Sequence, residues 1–185
     1  MTQEPRYHRS STDEDLLPVV DEHDRVVGTA TRREVHARGL RHRAVHIVVR
    51  NSAGRILLQE RGPGKDSFPG WWDVSVGGHV DPEEDYTEAA AREAEEELGI
   101  RGAPLREVAH RPPEAISGQE FVRIYDCLYD GPVSPPPEEI ASVRWEDPEE
   151  LLRPGSSEGR RVTPSGLESI RYWAEAMRGR GEWPL

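Results

Sequence analysis

The stretch Gly78-His-Val-Asp-Pro-Glu-Glu84-Asp-Tyr-Thr-Glu-Ala-Ala-Ala-Arg92-Glu93-Ala-Glu-Glu96-Glu97-Leu-Gly99-Ile100 constrains this chain more than any other. Ala89, Ala90, Ala91 and Ala94 are strong helix formers. Ala90, Ala94 and Leu98 recur every four residues, which turns one apolar face toward a core. Asp81-Pro82-Glu83-Glu84 reads as the helix start, with an acidic first turn and a proline near its beginning. Gly99 stands where a C-cap glycine belongs. Glu88 precedes Arg92 by four residues, an order that favours an ion pair worth roughly a few tenths of a kcal/mol. On such a helix Glu93, Glu96 and Glu97, at i, i+3 and i+4, bring three carboxylates to one face. That face repels itself unless something positive lies over it. A divalent cation that prefers oxygen ligands, Mg²⁺ or Mn²⁺, is the expected counter-charge. Taken alone, a run of glutamates is also compatible with a plain solvated helix.

The rest of the chain alternates short strands with two more helical stretches. Residues 1–15 are polar and read as a disordered tail, followed by a single domain over 16–180. Leu17 to Asp21 and Val26 to Gly28 read as two strands around a turn, and Arg32 to Arg38 as a short helix. Ala44 to Arg50, Arg55 to Gln59 and Trp71 to Val76 read as strands that lead into the acidic helix. Leu105 to His110, Glu120 to Tyr129 and Ile140 to Trp145 read as strands after it. Asp147 to Leu152 is a short helix with an Asp cap. Pro164 to Arg178 is a C-terminal helix with Leu167, Ile170 and Trp173 on its apolar side. Strands on both sides of one helix, with a second long helix at the end, fit an α/β fold with a mixed sheet between helices.

Charge and cysteine usage narrow the function. The chain of 185 residues has a net charge of −11 and a pI near 5.1. That balance argues against a nucleic-acid polymer as partner, which would need a basic surface, and against an anionic membrane surface. The single cysteine, Cys127, excludes an internal disulfide and a multi-cysteine zinc site. It reads as a small buried strand residue. No apolar run is long enough to span a bilayer. Met1 to Asp15 has no apolar core like that of a secretory signal, so a cytoplasmic location is expected.

The wider spacing around the glutamates resembles a known motif. Gly78, Glu84, Arg92-Glu93, Glu96-Glu97, Gly99 and Ile100 match the Nudix box position by position, with Ala94 where the family more often carries a larger aliphatic residue. The resemblance runs from about Leu17 to about Leu152. Its N-terminal half is similar to the branch related to isopentenyl-diphosphate isomerase. It rests there on Val19 to Gly28, Arg33-Glu-Val-His36, Leu40-Arg-His42-Arg-Ala-Val-His46 and Phe68 to His79. It implies a Nudix-type α/β/α sandwich with a mixed sheet. It also implies metal-dependent hydrolysis of a diphosphate linkage in a nucleoside diphosphate derivative or related small organic diphosphate, by a monomer or homodimer.

Site residues carry over residue by residue. Glu93, Glu96, Glu97 and the carbonyl of Gly78 would hold Mg²⁺ or Mn²⁺. Glu93 or Glu96 would act on the attacking water. Arg92 and Glu84 would tie loop to helix. Arg61 and Lys65, the chain's only lysine, match diphosphate-contacting positions, and Trp72 or Trp71 could stack on a base. Glu138 or Glu139 is the candidate for a glutamate contributed by a later loop. His36, His42 and His79 match three metal-ligating histidines of the isomerases, with Glu120 a less securely aligned partner, and so mark a possible second metal site. His46 reads as structural. Gly77 stands where the isomerases carry a catalytic cysteine. An isomerase therefore lacks its acid–base thiol here, and the intact glutamate set favours a hydrolase over both an isomerase and a non-catalytic binding module.

Overall fold

Valine and isoleucine line the most fully buried strand, and the fold is organised around it. The computed structural model describes residues 12–114, 118–153, 155 and 161–183. In chain order these form β1 (Leu16–Val20), β2 (Val26–Thr31), α1 (Arg32–Arg38), β3 (His42–Arg50), β4 (Ile56–Arg61), β5 (Trp72–Asp73) and β6 (Val76–His79). There follow α2 (Tyr86–Leu98), β7 (Arg106–Arg111), β8 (Glu120–Leu128), β9 (Ile140–Glu146), α3 (Pro148–Leu152) and α4 (Pro164–Gly179). A seven-stranded mixed sheet has the order β5-β4-β3-β8-β7, with β6 paired to β3 and β9 to β4. The central pair β3 and β8 is parallel from His42↔Glu120 to Arg50↔Leu128.

Alternate residues of β3 serve the two faces. Val45, Ile47 and Val49 pack with Ala89, Ala90, Ala94 and Leu98 of α2. Ala44 and Val48 pack with Ile170, Trp173, Ala174 and Met177 of α4. Full burial of each Val or Ile contributes roughly 1.5–3 kcal/mol. The expected α/β/α sandwich is present, and Cys127 is a buried member of the α2-side core.

The two helices are fixed by their caps. Asp85, not the Asp81–Glu84 segment, starts α2. Its side chain accepts from Thr87 N and Glu88 N, and Glu88 returns a bond to the Asp85 N–H. Glu88 thus closes a capping box in place of the expected pair with Arg92. Asp81 and Glu84 belong to the preceding turn, joined by Glu84 N to Asp81 O at 3.1 Å. Gly99 ends the helix at φ 71°, where a Cβ would be strained. In α4, Thr163 caps and Pro164 occupies the first turn.

A split in the sheet makes room for a site. β3 and β4 are register partners only at Arg50↔Ile56. Beyond that point β6 takes the open edge of β3, from Ile47↔Val76 to Ala44↔His79, while β5 and β9 pair with β4. Buried Ser75 bridges the diverging strands: its Oγ donates to Leu57 O at 2.6 Å and accepts from Val49 N at 2.8 Å. Those bonds replace ladder bonds that the divergence removes. The expected single strand Trp71–Val76 is therefore two short ones, because its halves follow partners that move apart.

The β1–β2 hairpin forms its own small sheet. It is tied to the start of α2 through Asp24, which accepts from Arg43 Nε at 2.7 Å and Tyr86 Oη at 3.1 Å. Residues 1–11 of the expected tail lie outside the described residues. Thr12 to Asp15 form a turn whose Asp15 carbonyl accepts from Arg32 N at 2.8 Å. Among the described residues, no helix is long and apolar enough to cross a membrane.

Candidate active site

The split opens into a cavity of about 970 Å³. On its α2 side the helix brings Glu93, Glu96 and Glu97 to one wall, as their spacing predicts. Glu97 is only 5% exposed. Its Oε2 accepts from Gly77 N at 3.1 Å and Gln59 Nε2 at 3.0 Å. Glu93 lies against the Gly78 backbone so closely that a Cβ there would fall 2.0 Å from its carboxyl carbon. Only glycine allows this approach.

Arg92 organises the outer part of the wall. Nε and Nη2 grip Glu84 at 2.8 and 2.9 Å. Nη1 reaches Glu93 at 2.7 Å and Glu96 at 3.2 Å, and Nη2 also donates to the His79 carbonyl at 2.9 Å. The helix is thereby locked to the loop that precedes it, as the resemblance implies for Arg92 and Glu84. Part of the positive charge that the acidic face demands comes from the protein itself.

The inner carboxylates remain short of counter-charge. Burial raises the pKa of Glu93 above the usual carboxylate range, against the opposing pull of Arg92. Burial also raises that of Glu97, and the charge of Glu93 adds to the effect. At Glu84, burial acts in the same direction, but the bonds from Arg92 outweigh it and hold the group below its ordinary value. One buried and one partly buried carboxylate, both with raised pKa values beside a close-packed backbone, are a donor set that suits a hard divalent cation.

The predicted cations sit at the rim, each with an acidic partner. Arg61 donates to Ser67 O at 2.9 Å and to Asp73 Oδ2 at 3.3 Å. Lys65 Nζ meets Glu139 Oε2 at 2.8 Å. Glu139 borders the cavity, whereas Glu138 is not among its lining residues. Trp72 does not line it either. It packs against the α4-side core with the Arg144 guanidinium 3.9 Å from its ring centroid. The aromatic at the cavity is Phe68, whose ring leans on Trp71 at 5.0 Å. Sequence reading passed over Phe68 and Gln59. A polar residue closing the apolar run Ile56-Leu57-Leu58-Gln59 was the available signal for the latter.

On the α4 side, His36, His42 and His79 come together with ring centroids 5.1–5.4 Å apart. Each offers a nitrogen within 4.8 Å of the other two. Glu120 Oε1 lies 3.6 Å from Nε2 of both His42 and His79, too long for a hydrogen bond. His36 is exposed, but partial desolvation of its ring holds it down at about 4, and the neighbouring imidazoles add to this. Burial likewise lowers His79. At Glu120, burial pushes upward, but His42 and His79 outweigh it and keep the carboxyl ionised. His42 Nδ1 is 2.9 Å from the Leu40 carbonyl, which can only accept, so Nδ1 carries a proton. The buried Nε2 of His42 has no hydrogen-bond partner among the described residues and faces the Glu120 carboxyl.

Comparison with known proteins agrees with this geometry. The NUDIX domain family matches residues 40–165. An uncharacterized Nudix hydrolase of Streptomyces coelicolor is 40% identical over 176 residues, covering 90% of this chain and 93% of that protein. One of Pseudomonas aeruginosa is 37% identical over 169 residues, covering 91% and 99%. Among solved structures, DR0079 of Deinococcus radiodurans superposes with a TM-score of 0.75 at 33% identity, covering 85% of this chain and 98% of that one. The Nudix domain of Shewanella oneidensis NrtR, solved with ADP ribose, has a TM-score of 0.57 at 17% identity, covering 75% and 86%, and is alike in fold. The fold and the acidic helix define an enzyme of the kind that uses divalent metal. The chain belongs to the Nudix hydrolase family.

Proposed function

We propose that the protein hydrolyses a diphosphate linkage in a nucleoside diphosphate derivative or a related small organic diphosphate, with Mg²⁺ or Mn²⁺ held by Glu93, Glu96, Glu97 and the Gly78 carbonyl. The observation that carries this reading is the glutamate wall itself: Glu97 is buried and accepts from Gly77 N and Gln59, while partly buried Glu93 lies against the Gly78 backbone, and burial raises the pKa of both carboxyls. When bound, the ion neutralises phosphate charge and lowers the pKa of a coordinated water. Glu93 or Glu96 orients that water or takes its proton, and Glu139, at the cavity wall, is the later-loop candidate for the same role. Arg92 and Glu84 keep the helix face in register with the Gly78 loop. Arg61 and Lys65, at the cavity rim, are the candidates to meet substrate phosphate. The ADP ribose held by the Shewanella domain supports the capacity of this fold to seat a nucleoside diphosphate derivative.

The similarity to the isopentenyl-diphosphate isomerase branch does not extend to its reaction. Gly77 has no thiol, and Cys127 is buried in the core with its thiol pushed up to about 11 by burial. A second cation centre at His36, His42 and His79 with Glu120 is favoured by geometry: the three imidazoles each offer a nitrogen within 4.8 Å of the others, Glu120 lies 3.6 Å from two of them, and buried His42 Nε2 has no hydrogen-bond partner among the described residues. Imidazole and carboxylate together suit a borderline cation such as Zn²⁺ or Mn²⁺. The Leu40 carbonyl would set the His42 tautomer, as outer partners of metal-bound histidines do.

The test is product release from a panel of nucleoside diphosphates, their sugar and dinucleotide conjugates, and isoprenyl diphosphates, with Mg²⁺ and with Mn²⁺. Metal-dependent turnover that Glu96→Gln abolishes is the expected result. A protein that binds the same ligands with no turnover is a binding module, and the hydrolase reading then fails.

A further inference from the structure

His46 occupies β3 directly opposite Gly77 of β6. It is 8% exposed, yet it borders the cavity. Its Nδ1 lies 2.7 Å from Ser169 Oγ of α4. The other nitrogen has no hydrogen-bond partner among the described residues, and it faces the space that Gly77 leaves. A Cβ at residue 77 would lie 3.4 Å from Nε2 and 3.2 Å from Cδ2. Any side chain there would press on the ring and cover its free edge.

The neighbouring hydroxyls are already engaged. Thr163 Oγ1 donates to Asp73 Oδ1 at 2.7 Å, and Ser165 Oγ accepts from Arg111 at 2.8 Å. Ala44 and Val74 complete this part of the wall. The large majority of buried side-chain polar atoms have a hydrogen-bond partner. His46 is oriented by one and presents the other to the cavity. Burial keeps the ring neutral, so Nε2 is a single donor or a single acceptor, with the rotatable Ser169 hydroxyl taking the complementary part.

We propose that His46 is a specificity-determining contact, whose Nε2 hydrogen-bonds the group attached to the diphosphate, so that nucleoside or sugar diphosphates are accepted and hydrocarbon diphosphates rejected. This rests on the hydrolase reading and adds to it the chemical class of the attached group. A hydrocarbon chain at this point strips water from Nε2 and returns nothing, a mismatch that sites built for hydrogen bonding discriminate against strongly. The base and the sugar are two sources of the same contact, and separate substrates distinguish them.

The experiment compares wild type, His46→Phe, Gly77→Ala and Ser169→Ala, each checked for folding by circular dichroism. Hydrolysis is followed with a nucleoside diphosphate, a sugar diphosphate lacking the base, and an isoprenyl diphosphate. Calorimetry with their non-hydrolysable methylene analogues gives a readout independent of turnover. In wild type the polar substrates are preferred. His46→Phe lowers that preference about tenfold through KM, the size of one lost hydrogen bond. Gly77→Ala has the same sense, and Ser169→Ala, which only frees the ring to turn, has a smaller effect. Loss confined to the nucleoside assigns the contact to the base, and loss shared with the sugar diphosphate assigns it to the sugar. An unchanged preference in folded His46→Phe and Gly77→Ala overturns the inference. If wild type hydrolyses no diphosphate, the hydrolase reading falls, and calorimetry still decides on His46. Weaker binding of the polar analogue by His46→Phe upholds the contact. Equal binding, or none by wild type, removes it.

Discussion

The two sides of the cavity hold their acids in opposite ways. On the α4 side partly buried Glu120 faces two imidazole nitrogens and stays ionised. On the α2 side partly buried Glu93 and buried Glu97 share one wall, and of the two only Glu93 touches a cation, one that Arg92 divides among three carboxylates. The difference teaches where outside charge is required. A carboxylate surrounded by nitrogen ligands can persist in the empty protein, whereas paired carboxylates protonate or recruit a metal. The glutamate wall is accordingly the side on which cation binding and protonation compete directly.

The largest effect expected to test this contrast is on turnover. Glu97→Gln keeps the shape and removes one inner charge. We expect metal-dependent kcat to fall about a thousandfold, the scale on which loss of a main electrostatic contribution acts. Near-normal steady-state rates would show that the inner pair is not the metal seat. Next in size is Arg92→Ala, which leaves Glu84 and Glu93 without their half-buried partner. A loss of about 3 kcal/mol in unfolding free energy by urea titration is expected, and a change below about 0.5 kcal/mol would reduce the bridge to decoration.

Metal preference separates the two sides directly. Zn²⁺ should raise the melting temperature of wild type through the histidines, by an increment that His42→Ala removes and Glu97→Gln retains. If Glu97→Gln removes it and His42→Ala does not, the histidines hold no ion. The last contrast is in pH. Glu93 and Glu97 have folded values of about 7 and about 8, raised from 4.5, so the folded protein without metal binds more protons than the unfolded chain between about 4.5 and 8. Its stability contribution from these groups is complete below 4.5 and declines as pH rises through that window. Saturating Mg²⁺ should reverse the trend, because ion binding displaces those protons. Thermal unfolding at pH 5 and pH 8, with metal and with chelator, measures both slopes. Identical slopes would mean that metal does not act on these carboxylates.

Much of the acidic helix was legible in the chain because its determinants are local. Ala90, Ala94 and Leu98 set its buried face and Gly99 its end, all within one window. Its beginning was misplaced by four residues' worth of acidic and proline signals at Asp81 to Glu84, which compete with the true cap at Asp85. The split sheet was not legible. Whether Trp71 to Val76 is one strand or two depends on the distance between β3 and β4, which no local pattern encodes. The histidine cluster was readable by resemblance, since His36, His42 and His79 come from three separate elements. His46 was read as structural because its sequence gives only a strand position. Its exposure to the cavity depends on Gly77, a register partner that only the tertiary structure identifies.

The parallel pairing of His42 with Glu120 has a kinetic consequence. It joins a strand that precedes the box helix to one that follows it, so the histidine wall, which includes Glu120, cannot be completed by a nascent N-terminal fragment. Closing so long a loop before its contacts reward it slows folding. A chain halted before β8 emerges from the ribosome would carry the whole glutamate motif while its longest parallel pairing was still unmade.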